Sequence, residues 1–190
     1  MSAPEIGVLA LQGDFEAHAR LLRELGAEAR EVRTAEQLEG LDGLVIPGGE
    51  STTMTLGIER EGLTEPLRQL VRSGTPVLGT CAGMIMLDRE HLDVLDVRAR
   101  RNAFGRQVSS FEADVPVKGA GAMRAVFIRA PWVEEAGEDV EVLAEVDGHA
   151  VAVREGNVLA VAFHPELTGD GRLHEWLVDR IREQRAKEAA

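Results

Sequence analysis

The chain contains one cysteine, Cys81, in the segment Gly79-Thr80-Cys81-Ala82-Gly83, directly after the apolar run Pro76-Val77-Leu78. A nucleophile between two glycines at a strand-to-helix junction has the form of a nucleophile elbow, with sulfur in place of oxygen. The glycines read as relief for a turn too sharp for side chains. Such a turn aims the thiol at the first turn of the next helix, where backbone N–H groups and the helix dipole favour a thiolate and an adjacent oxyanion. Taken alone, a free cysteine is as well explained as a small buried apolar group, so the argument turns on its partners. His164 supplies one: it ends the apolar strand Val158 to Phe163, and Glu166 follows two residues later. Pro165 biases His164 toward an extended backbone. A carboxylate bonded to one imidazole nitrogen sets the tautomer and leaves the other nitrogen free to take a thiol proton. Cys81, His164 and Glu166 thus read as nucleophile, base and orienter. Alone, His164-Pro165-Glu166 is equally compatible with a helix-entry turn. His18, His91, His149 and His174 read as solvated residues on helix or turn surfaces. No pair of them has ligand spacing with Cys81, so no metal site is expected.

The loop Pro47-Gly48-Gly49-Glu50-Ser51 offers two adjacent glycines that let backbone amides approach a ligand. No lysine follows, which excludes a P-loop. The negative charge of Glu50 suits a substrate carrying an ammonium group, and Ser51 reads as a helix N-cap.

These groups need elements to hold them. Ile6 to Leu11 is a continuous apolar run, as in a strand buried on both faces, and ends in Gln12-Gly13. Phe15, Ala19, Leu22 and Leu25 recur at helical spacing until Gly26. Ala29 to Arg33 forms a second strand, and Thr34 to Gln37 a capping box before a short helix. Gly43 to Ile46 is a third strand, followed by a helix and by another over Thr64 to Arg72. Pro76 to Thr80 is the fourth strand and delivers Cys81. Alternating strands and helices predict a mainly parallel sheet with helices on both faces, whose ligands bind beyond the carboxyl ends of the strands. Gln12-Gly13, Gly48 to Ser51 and Cys81 all lie at such ends. After Asn102 the pattern changes: Phe111 to Val117 and Arg124 to Arg129 read as strands, and Val140 to Phe163 as a three-stranded meander. Leu173, Trp176, Leu177 and Ile181 mark a final amphipathic helix, with Arg182 to Ala190 as a frayed charged tail. The whole, residues 1–190, reads as one α/β domain with an antiparallel β extension.

Composition bounds the function. A net charge of −12 disfavours nucleic-acid binding, and the cluster Arg98, Arg100 and Arg101 reads as a solvated strand face. One cysteine excludes an internal disulfide and points to a reducing compartment. The segment Met1 to Glu5 lacks a basic leader, and no apolar run approaches membrane-spanning length, so a cytoplasmic location without membrane contact is expected.

With Cys81 and His164-Pro165-Glu166 in these settings, the chain resembles the class I (triad-type) glutamine amidotransferases. Leu11-Gln12-Gly13, Pro47 to Met54, Arg101-Asn102-Ala103-Phe104-Gly105-Arg106-Gln107, Val126 to Pro131 and His164 to Thr168 make it similar to one family among them, the glutaminase subunits of pyridoxal 5′-phosphate synthase. The resemblance runs from Ile6 to the last helix. It implies a flavodoxin-like α/β fold, no cofactor, and hydrolysis of L-glutamine to glutamate and ammonia through a glutamyl thioester on Cys81. It also implies delivery of ammonia to a (β/α)₈-barrel synthase subunit in a large hetero-oligomer. Gly49, Glu50, Ser51, Arg101, Ile128 and Arg129 match the family's glutamine-binding positions, and backbone amides at Gly48, Gly49 and Ala82 its oxyanion hole. The stretch Met84 to Arg100 is several residues shorter than the family's pattern, which bears on where Arg101 stands. Two other readings fit the motifs less fully: a glutaminase serving a different synthase, and a non-catalytic redox or binding module of the same fold.

Overall fold

A computed structural model of the chain describes residues 2–105 and 110–190. Its first half runs β1 (Glu5–Leu9), α1 (Phe15–Glu24), β2 (Glu28–Val32), a 3₁₀ turn (Ala35–Leu38), β3 (Gly43–Ile46), α2 (Ser51–Arg60), α3 (Thr64–Arg72), β4 (Val77–Thr80) and α4 (Ala82–Leu87). The second half adds β5 (Val97–Arg100), β6 (Ser110–Val117), β7 (Gly121–Ile128), β8 (Trp132–Ala136), β9 (Glu141–Val146), β10 (His149–Glu155) and β11 (Val158–Val161), then α5 (Pro165–Thr168) and α6 (Arg172–Glu188).

The central sheet has the order β2-β1-β3-β4-β11-β10-β8-β5, with β9 also paired to β10. From β2 to β11 every pairing is parallel. The reason lies in the sequence: β3, β4 and β11 are buried at every position, and strands covered by helices on both faces must be apolar throughout. Burying each such Ile, Leu or Val contributes about 1.5–3 kcal/mol. This parallel half has the order of a flavodoxin-like doubly wound sheet, which opens a crevice at the carboxyl ends of its strands. The expected α/β class is borne out.

The antiparallel part departs in detail from the expected extension. The meander β9-β10-β11 forms, yet β11 is also the fifth parallel strand, so the meander continues the main sheet. β8 and β5 extend it further. β8, Trp132-Val133-Glu134-Glu135-Ala136, escaped the sequence analysis because it is half-exposed and polar, and β5, Val97-Arg98-Ala99-Arg100, was read only as a strand face without a place in the sheet. The solvated strand face assigned to Arg98 and Arg100 is the outer side of β5, where Arg98 pairs with Glu90 and Glu135 and Arg100 with Glu134. Among the described residues, β6 and β7 stand apart, as a two-stranded sheet.

The short stretch Met84 to Arg100 closes around Asp88. This buried carboxylate accepts from Glu90 N at 2.9 Å, His91 Nδ1 at 2.7 Å and Ala99 N at 3.1 Å, so α4 turns directly into β5. The expected frayed tail is also corrected: α6 stays helical to Glu188. Arg185 fastens it, pairing with Asp42 at 2.6 Å and donating to the Ser2 carbonyl at 2.8 Å.

A further correction concerns the histidines. His18 on α1 and His174 on α6 are fully buried, not solvated. Burial holds both pKa values down, that of His174 to about 4 from 6.5. An unfolded chain takes up a proton at each histidine as pH falls below 6.5, whereas folded His174 refuses its proton until about pH 4 and His18 resists protonation in the same direction. Stability therefore falls across this window on acidification. Denaturant titrations should show it, with a shallower slope in His174→Gln.

Candidate active site

Four of the parallel strands deliver the site. β4 ends at Thr80, and Cys81 follows with φ 50° and ψ −110°, as the N-cap of α4. A positive φ on a residue with a Cβ is strained and persists only where surroundings enforce it. The strain falls on Cys81 itself, because neither Gly79 nor Gly83 has a positive φ. The flanking glycines serve close packing instead: a Cβ on Gly83 would lie 2.0 Å from the Ile46 carbonyl oxygen, and one on Gly79 3.0 Å from the Gly83 backbone. β4, α4 and the end of β3 can thus touch only through glycine.

β11 leads through Phe163 to His164, whose backbone N–H donates to the Val126 carbonyl on β7 at 2.9 Å. Phe163 joins Phe127, Phe111 and Phe104 in an aromatic stack with neighbouring centroids 4.5–5.7 Å apart. His164 is the N-cap of α5, with Pro165 opening the helix. Glu166 therefore sits in a first helical turn rather than on an extended segment, and it is this helix entry that brings the carboxylate back to the imidazole. His164 Nδ1 meets Glu166 Oε1 at 2.6 Å, and Glu166 is 3% exposed. Burial opposes charge on His164. The Cys81 sulfur beside the ring and the Glu166 carboxylate bonded to Nδ1 outweigh it and raise the pKa to about 10. An imidazolium formed by accepting the thiol proton is thus stabilised where it arises.

A cavity of about 260 Å³ opens over these groups. Cys81, Ala82 and His164 line it together with Gly49, Glu50, Ser51, Arg101, Ile128 and Arg129. The six residues matched to glutamine binding are thereby gathered around one cavity, while Glu166, bonded to His164, is not among its lining residues. Gly48 lies just beneath: a Cβ there would be 2.5 Å from His164 Cε1 and 3.1 Å from the Cys81 Cβ. The turn Gln12-Gly13 clamps the glycine loop from β1. Gln12 Oε1 accepts from Glu50 N at 2.6 Å, and Gly13 (φ 88°) leaves no room for a side chain against the Gly48 carbonyl.

Glu50, not Ser51, is the N-cap of α2; its carboxylate accepts from Thr52 N at 3.0 Å and Thr53 N at 2.8 Å. These backbone bonds hold its pKa at about 2. Arg101 Nη2 lies 3.3 Å from Glu50 Oε1 and 3.1 Å from Thr52 Oγ1, at the rim of the cavity. Its segment is anchored by the bond from Ala103 N to the Ala130 carbonyl at 3.0 Å and by Phe104 against Phe111, Phe127 and Trp132. Arg106 and Gln107 of the same segment lie outside the described residues.

Sequence reasoning missed Asn102 and Ile85, which line the cavity, and the two buried histidines behind Glu166. Asn102 and Arg129 share the positive φ of Cys81, at 46° and 42°. For the histidines a signal existed: His18 lies three residues after Phe15 and four before Leu22, on the apolar stripe of α1.

Two predictions follow from this geometry. Gly83→Ala forces a backbone shift between β3 and α4 and should destabilise the fold by about 2–3 kcal/mol, measured by chemical denaturation. In Cys81→Ala the His164 imidazole should titrate below its wild-type value in NMR, since a neighbouring sulfur that favours its protonation is gone; an unchanged titration would show that the thiol does not reach it.

Comparison with known proteins matches the chain over nearly its whole length. The chain is 56% identical to "Pyridoxal 5′-phosphate synthase subunit PdxT" of Mycobacteroides abscessus, over 95% of this chain and 98% of that protein. It is 56% identical to the protein of the same name from Streptomyces avermitilis, over the full length of both. A crystal structure described as a glutamine amidotransferase superimposes with a TM-score of 0.87 at 49% identity, covering 93% of this chain and 98% of that one. Residues 8–183 match the model of the SNO glutamine amidotransferase family, and the chain belongs to that family.

Proposed function

We propose that the chain hydrolyses L-glutamine to L-glutamate and ammonia as the glutaminase subunit of a pyridoxal 5′-phosphate synthase, using Cys81, His164 and Glu166. The observation that carries the triad is the 2.6 Å contact between His164 Nδ1 and Glu166 Oε1, with the same imidazole and Cys81 lining one cavity and packed against Gly48. A module that used Cys81 only as an oxidisable thiol would need no buried carboxylate to orient a histidine beside it.

The chemistry then runs in two halves. Cys81 passes its proton to His164 while sulfur attacks the side-chain amide carbon, forming the C–S bond and a tetrahedral oxyanion. The C–N bond breaks as His164 returns the proton to the leaving nitrogen; ammonia departs and a glutamyl thioester remains. Water, deprotonated by His164, attacks the thioester carbon; the C–S bond breaks, and sulfur recovers its proton from His164. Glu166 holds one imidazole tautomer throughout. Backbone amides of Ala82 and of Gly48 and Gly49 face the oxyanion. Arg101 or Arg129 pairs with the substrate α-carboxylate, a charge-assisted bond, and Glu50 faces its ammonium. Since Glu50 is already pinned by α2 and paired to Arg101, the substrate binds into a preset pair of opposite charges.

Ammonia released into water becomes ammonium, which is no nucleophile, so the product must pass directly to a synthase subunit. In our reading that partner is a (β/α)₈ barrel within a large hetero-oligomer. The oxyanion hole is completed only when it docks, through the clamped loop of Gly48 and Gly49. Glutamine-dependent ammonia release should therefore be low for the isolated chain, rise on adding the synthase subunit, and vanish in Cys81→Ala under both conditions. A high basal rate indifferent to the synthase would refute the gating, and turnover by Cys81→Ala would refute covalent catalysis.

A further inference from the structure

Two buried histidines, His18 and His174, stand behind the triad without a part in the chemistry above. Glu166 uses Oε1 on His164, while its Oε2 is buried and has no hydrogen-bond partner among the described residues. From another element, His18 Nε2 lies 3.4 Å from it. On its other side, His18 Nδ1 meets His174 Nε2 at 2.8 Å, and the outer nitrogen of His174, Nδ1, is buried and unpartnered. Thr80 Oγ1, one residue before Cys81, lies 3.3 Å from His18 Nε2.

Only one proton can occupy the 2.8 Å contact between the two imidazoles, so two arrangements of the neutral pair exist. If His18 donates through Nδ1, its Nε2 lone pair faces the Glu166 carboxylate, and His174 is left with a buried N–H that has no acceptor. Both consequences are unfavourable, since lone pair repels carboxylate and an unmade buried donor costs its full desolvation. If His174 donates through Nε2, His18 must carry its proton on Nε2, the nitrogen that lies 3.3 Å from Thr80 Oγ1 and 3.4 Å from Glu166 Oε2. The only cost is then an idle lone pair on His174. Protonating the pair is resisted by burial and by mutual repulsion, which hold both rings neutral. Asp170, the carboxylate facing His174, is itself engaged by Arg172 at 2.6 Å.

We propose that His18 is a positioning residue for the triad: its Nε2–H steadies the second oxygen of Glu166, and His174 fixes the tautomer of His18 that makes this possible. The chain of donors then runs in one direction, from His174 to His18 to Glu166, with His164 donating to Glu166 from the opposite side. A neutral donor suits the task. A charged His18 would compete with His164 for the carboxylate's negative charge, whereas a neutral one restricts rotation and leaves that charge facing the catalytic imidazole. The separation of 3.4 Å exceeds an ordinary hydrogen bond, so the effect is on orientation more than on affinity. The two rings come from α1 and α6, so the elements that flank the sheet reach the catalytic carboxylate directly.

This inference rests on the triad reading, and the test separates the two. The full-length chain is assayed with the synthase subunit as wild type, His18→Leu and His18→Gln. Leucine keeps the bulk without a donor; glutamine keeps an N–H where Nε2 stood. The expected result for leucine is a kcat about tenfold lower or more, as for a displaced catalytic group, with KM for glutamine unchanged. Glutamine should restore kcat to within about threefold of wild type. In parallel, ¹⁵N NMR of wild-type imidazoles at neutral pH should show His18 and His174 both as Nε2–H tautomers. An Nδ1–H His18, full kcat in the leucine variant, or equal losses in both variants would overturn the proposal. If wild type releases no ammonia with the synthase, the triad reading fails, and the NMR tautomers still judge the contact by themselves.

Discussion

The site depends on a backbone conformation that a residue with a side chain normally avoids. Cys81 is held at φ 50° between β4 and α4, and nothing about cysteine favours that geometry. It is enforced because α4 presses its first turn against the end of β3, with Gly83 against the Ile46 carbonyl and Gly79 against Gly83. α4 is buried at all six positions, so the packing energy of a core helix is what offsets the strain of about 1–3 kcal/mol at the nucleophile. The result is a thiol presented at the sheet's carboxyl edge, at the head of a helix whose free N–H groups point the same way.

A second constraint meets the first from the other side of β4. β11 pairs in parallel register with β4, Val161 opposite Thr80, so the chain after each strand emerges at the same level. His164 and Cys81 are brought together by that register, with the phenylalanine stack under His164 and its bond to Val126 fixing the approach. Charge is arranged with similar economy. Glu166 is shielded from water, and its charge is therefore felt by His164 at close to full strength. Glu50 stands in solvent, where backbone amides rather than burial hold it ionised.

Much of this was readable before any coordinates, for a physical reason. Strands buried on both faces are unbroken apolar runs, so β1, β3, β4 and β11 announced themselves, and so did the polar turns at their ends. The motifs at those turns located Cys81, His164, Glu166 and the cavity wall. Half-exposed strands have no such signature: β5 alternates arginine with apolar residues and was legible only as a solvated strand face without a place in the sheet, and β8 carries two glutamates and was not read as a strand. The role of the glycines at the elbow was misplaced because a sequence does not say which residue in a tight turn takes the positive φ. The buried histidines were misread because polar residues on amphipathic helices are usually solvated. The place of His18 on the apolar stripe of α1 was the one local sign; the burial of both rings is decided by the packing of α1 against α5 and α6, a tertiary contact.

Covalent catalysis by Cys81 is the claim on which the account stands, and it is tested most directly by trapping the intermediate. Peptide mass spectrometry of the chain quenched in acid during turnover of glutamine, with the synthase subunit present, should find a glutamyl group on Cys81. Steady glutamine hydrolysis in which that group never forms, in wild type and in variants that slow attack by water, would contradict it.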